Sequence, residues 1–189
     1  MKKLVFSLAL LSLVFTSCTS SDDDAVTTPP TATGEITGDI TTSKTYVKGV
    51  YTIKGTVRVK SDATLTFEAG SVITADVADG ADALLVEKGG KLNISGTAAE
   101  PVVFTEKSKT AGSWGGIIMF GDAPIVSGKT ADGTPITTAT SEDGTNIVYG
   151  GTNAAHNGGS LKYVRVEYAG KKILDGNSEM NDFSFYSVG

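Results

Sequence analysis

Thr56-Val57-Arg58-Val59-Lys60-Ser61-Asp62-Ala63-Thr64-Leu65-Thr66-Phe67 is followed, 27 residues later, by Ala83-Leu84-Leu85-Val86-Glu87-Lys88-Gly89-Gly90-Lys91-Leu92-Asn93-Ile94. In that frame Val57 falls on Leu84, Val59 on Val86, Ala63 on Gly90, Leu65 on Leu92 and Phe67 on Ile94, with polar corners of matching length between the strands. Thr64-Leu65-Thr66-Phe67 and Lys91-Leu92-Asn93-Ile94 alternate polar with apolar, the period-two signature of half-buried strands. A repeat of this length made only of short strands and corners describes a β-solenoid. No coil closes its own core there, and stacking sets like residue over like. The register then slips. Gly70-Ser71 corresponds to Gly96-Thr97, and Val72-Ile73-Thr74 to Val102-Val103-Phe104 after the insertion Ala98-Ala99-Glu100-Pro101.

Outward from the repeat, the chain keeps the same character. No segment holds a helical period, and 23 glycines punctuate short β-branched runs such as Val50-Tyr51-Thr52-Ile53. The body, residues 40–189, reads as all-β, a parallel solenoid. A β-sandwich is the alternative, because short strands separated by turns also describe it, although a sandwich has no reason to repeat one strand, corner, strand order. A stretch near 127–160, dense in Gly, Thr, Asn and Asp, reads as an irregular loop insertion, a kind of segment that is functional or disordered in compact domains. Residues 18–39, rich in Ser, Thr, Asp and Pro, read as a solvated tether that cannot bury enough surface to order itself.

The amino-terminal segment is an address. Met1-Lys2-Lys3, an apolar run from Leu4 to Phe15 and then small residues form a signal peptide over residues 1–17, too short to serve as a membrane span. Phe15-Thr16-Ser17-Cys18 resembles a bacterial lipobox, which implies that Cys18, the single cysteine, is lipidated and becomes the first mature residue. Ser21-Asp22-Asp23-Asp24 resembles the surface-export signal of Bacteroidetes-type lipoproteins; a solvated acidic linker is the alternative. Together these place the protein on the outer membrane by a lipid anchor, on the cell surface or, alternatively, on the periplasmic face. Loss of Lys2 and Lys3 takes the basic count from 16 to 14 against 21 acids, so the net charge moves from −5 to −7. An acidic chain with no basic stripe excludes nucleic acid as a partner. One cysteine excludes an internal disulfide.

The order Leu65-Thr66-Phe67-Glu68-Ala69-Gly70-Ser71-Val72-Ile73, Ala83 to Leu92, Pro101-Val102-Val103-Phe104-Thr105, Trp114-Gly115-Gly116-Ile117-Ile118 and Leu161 to Gly170 resembles the right-handed parallel β-helix surface lipoproteins of Bacteroidetes-type bacteria. The resemblance covers the chain from about residue 45 onward and implies architecture and location rather than a reaction. Such solenoids run further and end in capping coils. Here the chain stops at Phe183-Ser184-Phe185-Tyr186-Ser187-Val188-Gly189, which reads as mid-strand, so the β-helix is expected to be incomplete at its C-terminal end.

No residue earns a catalytic role from the sequence. Glu142, Asp143, Asn146 and Asn153 lie in the insertion and could offer oxygens to a hard cation such as calcium; their spacing is not that of an EF-hand, and turn geometry accounts for the same residues. His156, the single histidine, reads as a solvated loop residue, and Trp114, the single tryptophan, as corner packing or a sugar-stacking surface. Asp175, Glu179 and Asp182 read as a surface acid cluster, with a glycosidase pair as the alternative. Three function classes stay open. These are a non-enzymatic surface protein binding a glycan, host or partner protein, a polysaccharide lyase or hydrolase, and a structural subunit of an outer-membrane assembly. No cofactor other than calcium is implied.

Overall fold

Residues aligned by the 27-residue repeat are parallel neighbours in the folded chain: Val57 pairs with Leu84, Val59 with Val86, Leu65 with Leu92 and Phe67 with Ile94. The structure is a computed structural model that describes residues 31–78, 82–171 and 180–189. Cys18, Ser21, Asp22, Asp23, Asp24, Asp175 and Glu179 lie outside the described residues. The strands are, in order, β1 (Ala32–Ile40), β2 (Lys44–Tyr46), β3 (Gly49–Val59), β4 (Thr64–Glu68), β5 (Val72–Ala75), β6 (Ala83–Val86), β7 (Lys91–Ser95) and β8 (Val102–Glu106). They continue with β9 (Ile117–Phe120), β10 (Gly128–Lys129), β11 (Pro135–Ile136), β12 (Thr138–Thr140), β13 (Val148–Gly150), β14 (Gly159–Lys162), β15 (Val164–Val166) and β16 (Phe183–Tyr186).

These strands form an all-β parallel β-helix with three faces. The first face is the sheet β2-β4-β7-β14. The second stacks the leading halves of β1 and β3 on β5, β8 and β15, and the third stacks the trailing half of β3 on β6, β9 and β16. Strand β3 serves both because it turns a corner at Gly55, whose φ of +65° is open to glycine at no steric cost. The next coil makes that corner with Asp82, a buried carboxylate that accepts hydrogen bonds from the N–H groups of Gly55 and Val77. Among the described residues, antiparallel pairing is confined to β10 with β11 and β12 with β13, so the sandwich alternative falls.

Columns of like side chains fill the interior. Tyr46, Phe67 and Ile94 stack on the first face, Tyr51, Ile73 and Phe104 on the second, and Val57, Leu84, Ile117 and Phe183 on the third. Parallel neighbours are about 4.8 Å apart, so each coil lays its apolar set directly on the one before.

Three expectations are corrected. First, β5 pairs with β8 one residue later than the sequence alignment placed it: Val72 with Val103, Ile73 with Phe104 and Thr74 with Thr105. The insertion 98–101 closes its own turn, with Thr97 N–H donating to the Glu100 carbonyl at 3.0 Å and Glu100 N–H to the Thr97 hydroxyl at 3.0 Å. Interior burial then decides the register, because a one-residue slip would have set Ile73 over the outward Val103. Second, β1 begins at Ala32, inside the segment read as tether. An end strand buries one face only weakly; Ile36 alone is buried, and backbone pairing along β3 does the rest. Third, the insertion is not simply irregular. It carries β10 to β13, and its Ile147 and Tyr149 pack over the outer side of β6 and β9, covering Leu85, Ile118 and Phe120.

Candidate functional site

Where the third face turns into the first, the repeat corners form one wall of a groove of about 410 Å³. Thr41, Lys60 and Ser61 from successive corners and Glu87 and Lys88 from the next coil line it, and Ile147 and Val148 of the insertion overhang it. Stacking positions the charges. Arg58 lies beside Leu85 in the outward column, and Glu87, two residues on, receives Arg58 Nη1 at 3.1 Å on one oxygen and Lys60 Nζ at 2.5 Å on the other. Burial by itself pushes the Glu87 carboxyl up, yet the hydrogen bonds from Lys60 and Arg58 outweigh it and hold the group below the usual carboxylate range. Lys88 Nζ donates to the Gly150 carbonyl at 3.4 Å, which ties the corner to the overhanging hairpin.

The groove is polar on one wall and apolar on the other. Ser61, Thr41 and the Glu87 cluster offer directed hydrogen bonds, and Ile147 and Val148 offer a dry surface, the mixture found in sites for small polar molecules and sugars. Arg58, Lys60 and Lys88 against Glu87 also leave the corner locally positive on an otherwise acidic chain.

A family model described as a pectate-lyase-like β-helix domain matches residues 34–189. The chain belongs to that family. No curated protein and no solved structure matches it. Membership of the pectate-lyase-like β-helix family agrees with the coil architecture and is compatible with enzymatic and non-enzymatic members alike.

On this pectate-lyase-like body the four candidate cation residues do not converge. Asn153 sits beside Asp122, its amide donating to Asp122 Oδ1 at 3.3 Å, away from the loop of Glu142 and Asp143. Asn146 is exposed at φ +55° and turns its amide toward the Gly144 carbonyl. Glu142 is exposed, whereas Asp143 is buried at 1% exposure, its Oδ1 accepting from the Thr145 N–H at 2.9 Å and hydroxyl at 2.6 Å. Among the described residues no three His, Cys, Asp or Glu side chains gather as a metal site. Near Asp143, Tyr186 stacks on Phe120 with centroids 5.2 Å apart and meets Tyr149 at 4.8 Å. Burial first, and the charge of Asp143 second, push the Tyr186 phenol up to about 12.

The other candidates resolve into structure. Trp114 is fully buried, its indole N–H donating to the Glu167 carbonyl at 2.8 Å, so its ring is not a sugar platform. His156 is not solvated as expected: its side chain is 5% exposed, Nδ1 accepts from the Gly189 N–H at 3.1 Å, and Nε2 lies 3.7 Å from Asp122. The sequence carried no signal of this burial: a Cβ on Gly121 would come within 2.8 Å of the ring, a closeness that only the fold creates. Asp182 contributes its backbone carbonyl to Ile117 and presents its side chain to solvent. Glu106, unremarked in the sequence, is buried where the inward column carries Ala75. Hydrogen bonds from the Ser108 hydroxyl and N–H, outweighing burial, hold its carboxyl below the usual range.

Proposed function

We propose that the chain is a lipid-anchored protein of the outer cell surface that holds a glycan in the corner groove without cleaving it. The groove carries this reading: hydroxyl and charged groups from stacked corners face an apolar overhang, which suits the hydroxyl edges and C–H faces of a sugar. Among the described residues Glu87 is the single carboxylate lining it, and two cations occupy its two oxygens. A carboxylate held ionised by paired cations is poorly matched to general acid catalysis near neutral pH. At the amino end, acyl chains on Cys18 would contribute about 0.8 kcal/mol per buried methylene, and two or three chains give durable attachment.

One experiment addresses anchor and groove together. Cells expressing the wild-type chain, Cys18→Ala or Val148→Asp are labelled with palmitate and probed with a glycan panel. Wild type takes up label and binds at the cell surface. Cys18→Ala loses label and surface binding. Val148→Asp keeps the label, because its side chain is exposed, and loses roughly tenfold in glycan affinity, the equivalent of about 1.4 kcal/mol of apolar contact. Unchanged binding by Val148→Asp removes the groove from the account, and an ultraviolet-absorbing elimination product from acidic polysaccharides would establish a lyase instead.

A further inference from the structure

The insertion returns to the β-helix through His156-Asn157-Gly158-Gly159, the one place in the sequence where asparagine precedes glycine. The fold holds both members of that pair. Asn157 is exposed, and its side-chain carbonyl oxygen Oδ1 accepts the Gly159 N–H at 2.8 Å, the turn that asparagine makes with its own backbone two residues on. Gly158 is buried, and a Cβ there would come within 2.9 Å of Val188 and 3.2 Å of Met119, so packing favours the bare glycine. Its carbonyl accepts the Leu92 N–H at 2.9 Å, just before Gly159 pairs with Leu92 and β14 begins. Its own N–H is left over: no hydrogen bond among the described residues holds it.

We propose that Asn157 is a self-modifying site, at which the Gly158 nitrogen closes on the Asn157 side chain to give a succinimide that water opens to isoaspartate or aspartate. The bonds balance without a cofactor. The Gly158 nitrogen gives its proton to solvent base and attacks Cγ; the N–Cγ bond forms, the Cγ–Nδ2 bond breaks, and Nδ2 leaves as ammonia with a proton from water. Water opening the ring at Cγ restores the ordinary chain with an aspartate. Opening at the Asn157 main-chain carbon instead leaves the chain running through Cβ and Cγ, as isoaspartate. Two features favour the attack. The tetrahedral intermediate places negative charge on Oδ1, where the Gly159 N–H already points. The nucleophile has no Cβ to crowd its approach and no hydrogen bond to give up. Isoaspartate then acts on the fold. It adds a methylene to the main chain between His156, whose Nδ1 accepts the Gly189 N–H, and the Gly159–Leu92 pair, so the two anchors lose their common register and the last coil loosens.

The test ages the purified full chain at neutral and mildly alkaline pH and maps it by peptide mass spectrometry, with chromatographic separation of isoaspartate from aspartate. Wild type accumulates both acids at position 157, faster as pH rises because the nitrogen must lose its proton, and its melting temperature falls in step with the isoaspartate fraction. Asn93, Asn146, Asn153 and Asn181 precede residues that carry a Cβ and convert at least about tenfold more slowly. Asn157→Gln, a change on an exposed side chain, keeps its amide and its melting temperature through the same ageing. Asn157→Asp, freshly purified, carries the charge without the added methylene and melts with unaged wild type. An Asn157 that stays an amide in the folded chain while the same chain converts in urea would show that the coil blocks the attack, and the proposal fails. It fails equally if aspartate forms with no isoaspartate, which is direct hydrolysis, or if the other asparagines convert as fast. Fresh Asn157→Asp protein that already melts as low as aged wild type would overturn the lengthened chain as the cause of loosening.

Discussion

Phe67→Ala is expected to cost about 3–5 kcal/mol of folding free energy, read as a fall of roughly 10 °C in melting temperature. The ring is 0% exposed and holds two coils together: it stacks on Tyr46 at 5.3 Å with 15° between planes, and meets Phe104 edge-on at 5.3 Å and 83°. Truncation leaves a cavity that neither neighbour can collapse into, because each is fixed by its own strand pairing on an adjacent coil. Phe104→Ala should be comparably costly, and the double variant should cost less than the two single losses added together, since the residues are in contact. Additive losses would mean the rings do not touch.

Ile118→Asp is expected to prevent stable folding, with a loss of several kcal/mol from placing an unpaired charge in an apolar contact. On the bare face of a β-helix this outward position would tolerate a polar residue, since its column also carries Asp39, Arg58 and Ser184. Here Ile118 is 0% exposed, because the insertion lies over it and brings Ile147 and Tyr149 against Leu85 and Phe120. Val103→Asp supplies the contrast. It occupies an outward, partly exposed position on the second face and should change stability by less than about 1 kcal/mol. Equal tolerance at both positions, measured by chemical unfolding, would mean that the insertion does not cover the third face.

How much of this was legible in the chain follows from what a repeat can and cannot encode. Leu65 over Leu92 and Phe67 over Ile94 were readable because a parallel stack obliges like residues to recur at a fixed interval. The covering role of the insertion left a signal of a different kind. Ala83-Leu84-Leu85-Val86 and Ile117-Ile118-Met119-Phe120 break the alternation and are apolar throughout, the mark of a strand buried on both sides. Strand β1 left almost none, since a capping strand needs one apolar residue, Ile36, and otherwise satisfies its backbone along β3. Of the groove, the half built from the corners was implicit: Lys60 and Glu87 occupy the same place in successive copies with opposite charge. The half supplied by Ile147 and Val148 was not, because no periodicity fixes where an insertion folds back. Nor does sequence reveal that Asp82, Asp143 and Glu106 are buried, since the N–H and hydroxyl groups that receive them belong to turns whose shape only the fold determines.

The stacking of coil on coil is tested most directly by cysteine cross-linking in a Cys18→Ser background, which removes the single native thiol. Thr66 and Asn93 are paired neighbours with outward side chains on consecutive coils, and Ser160 pairs with Asn93 on the coil beyond. Parallel neighbours about 4.8 Å apart are within disulfide reach, and positions two strands apart are not. Mild oxidation should therefore close an intramolecular disulfide in the Thr66→Cys/Asn93→Cys protein and leave Thr66→Cys/Ser160→Cys open. A Thr66→Cys/Asn93→Cys protein that stays reduced, or a Thr66→Cys/Ser160→Cys protein that closes as readily, would contradict the parallel stack.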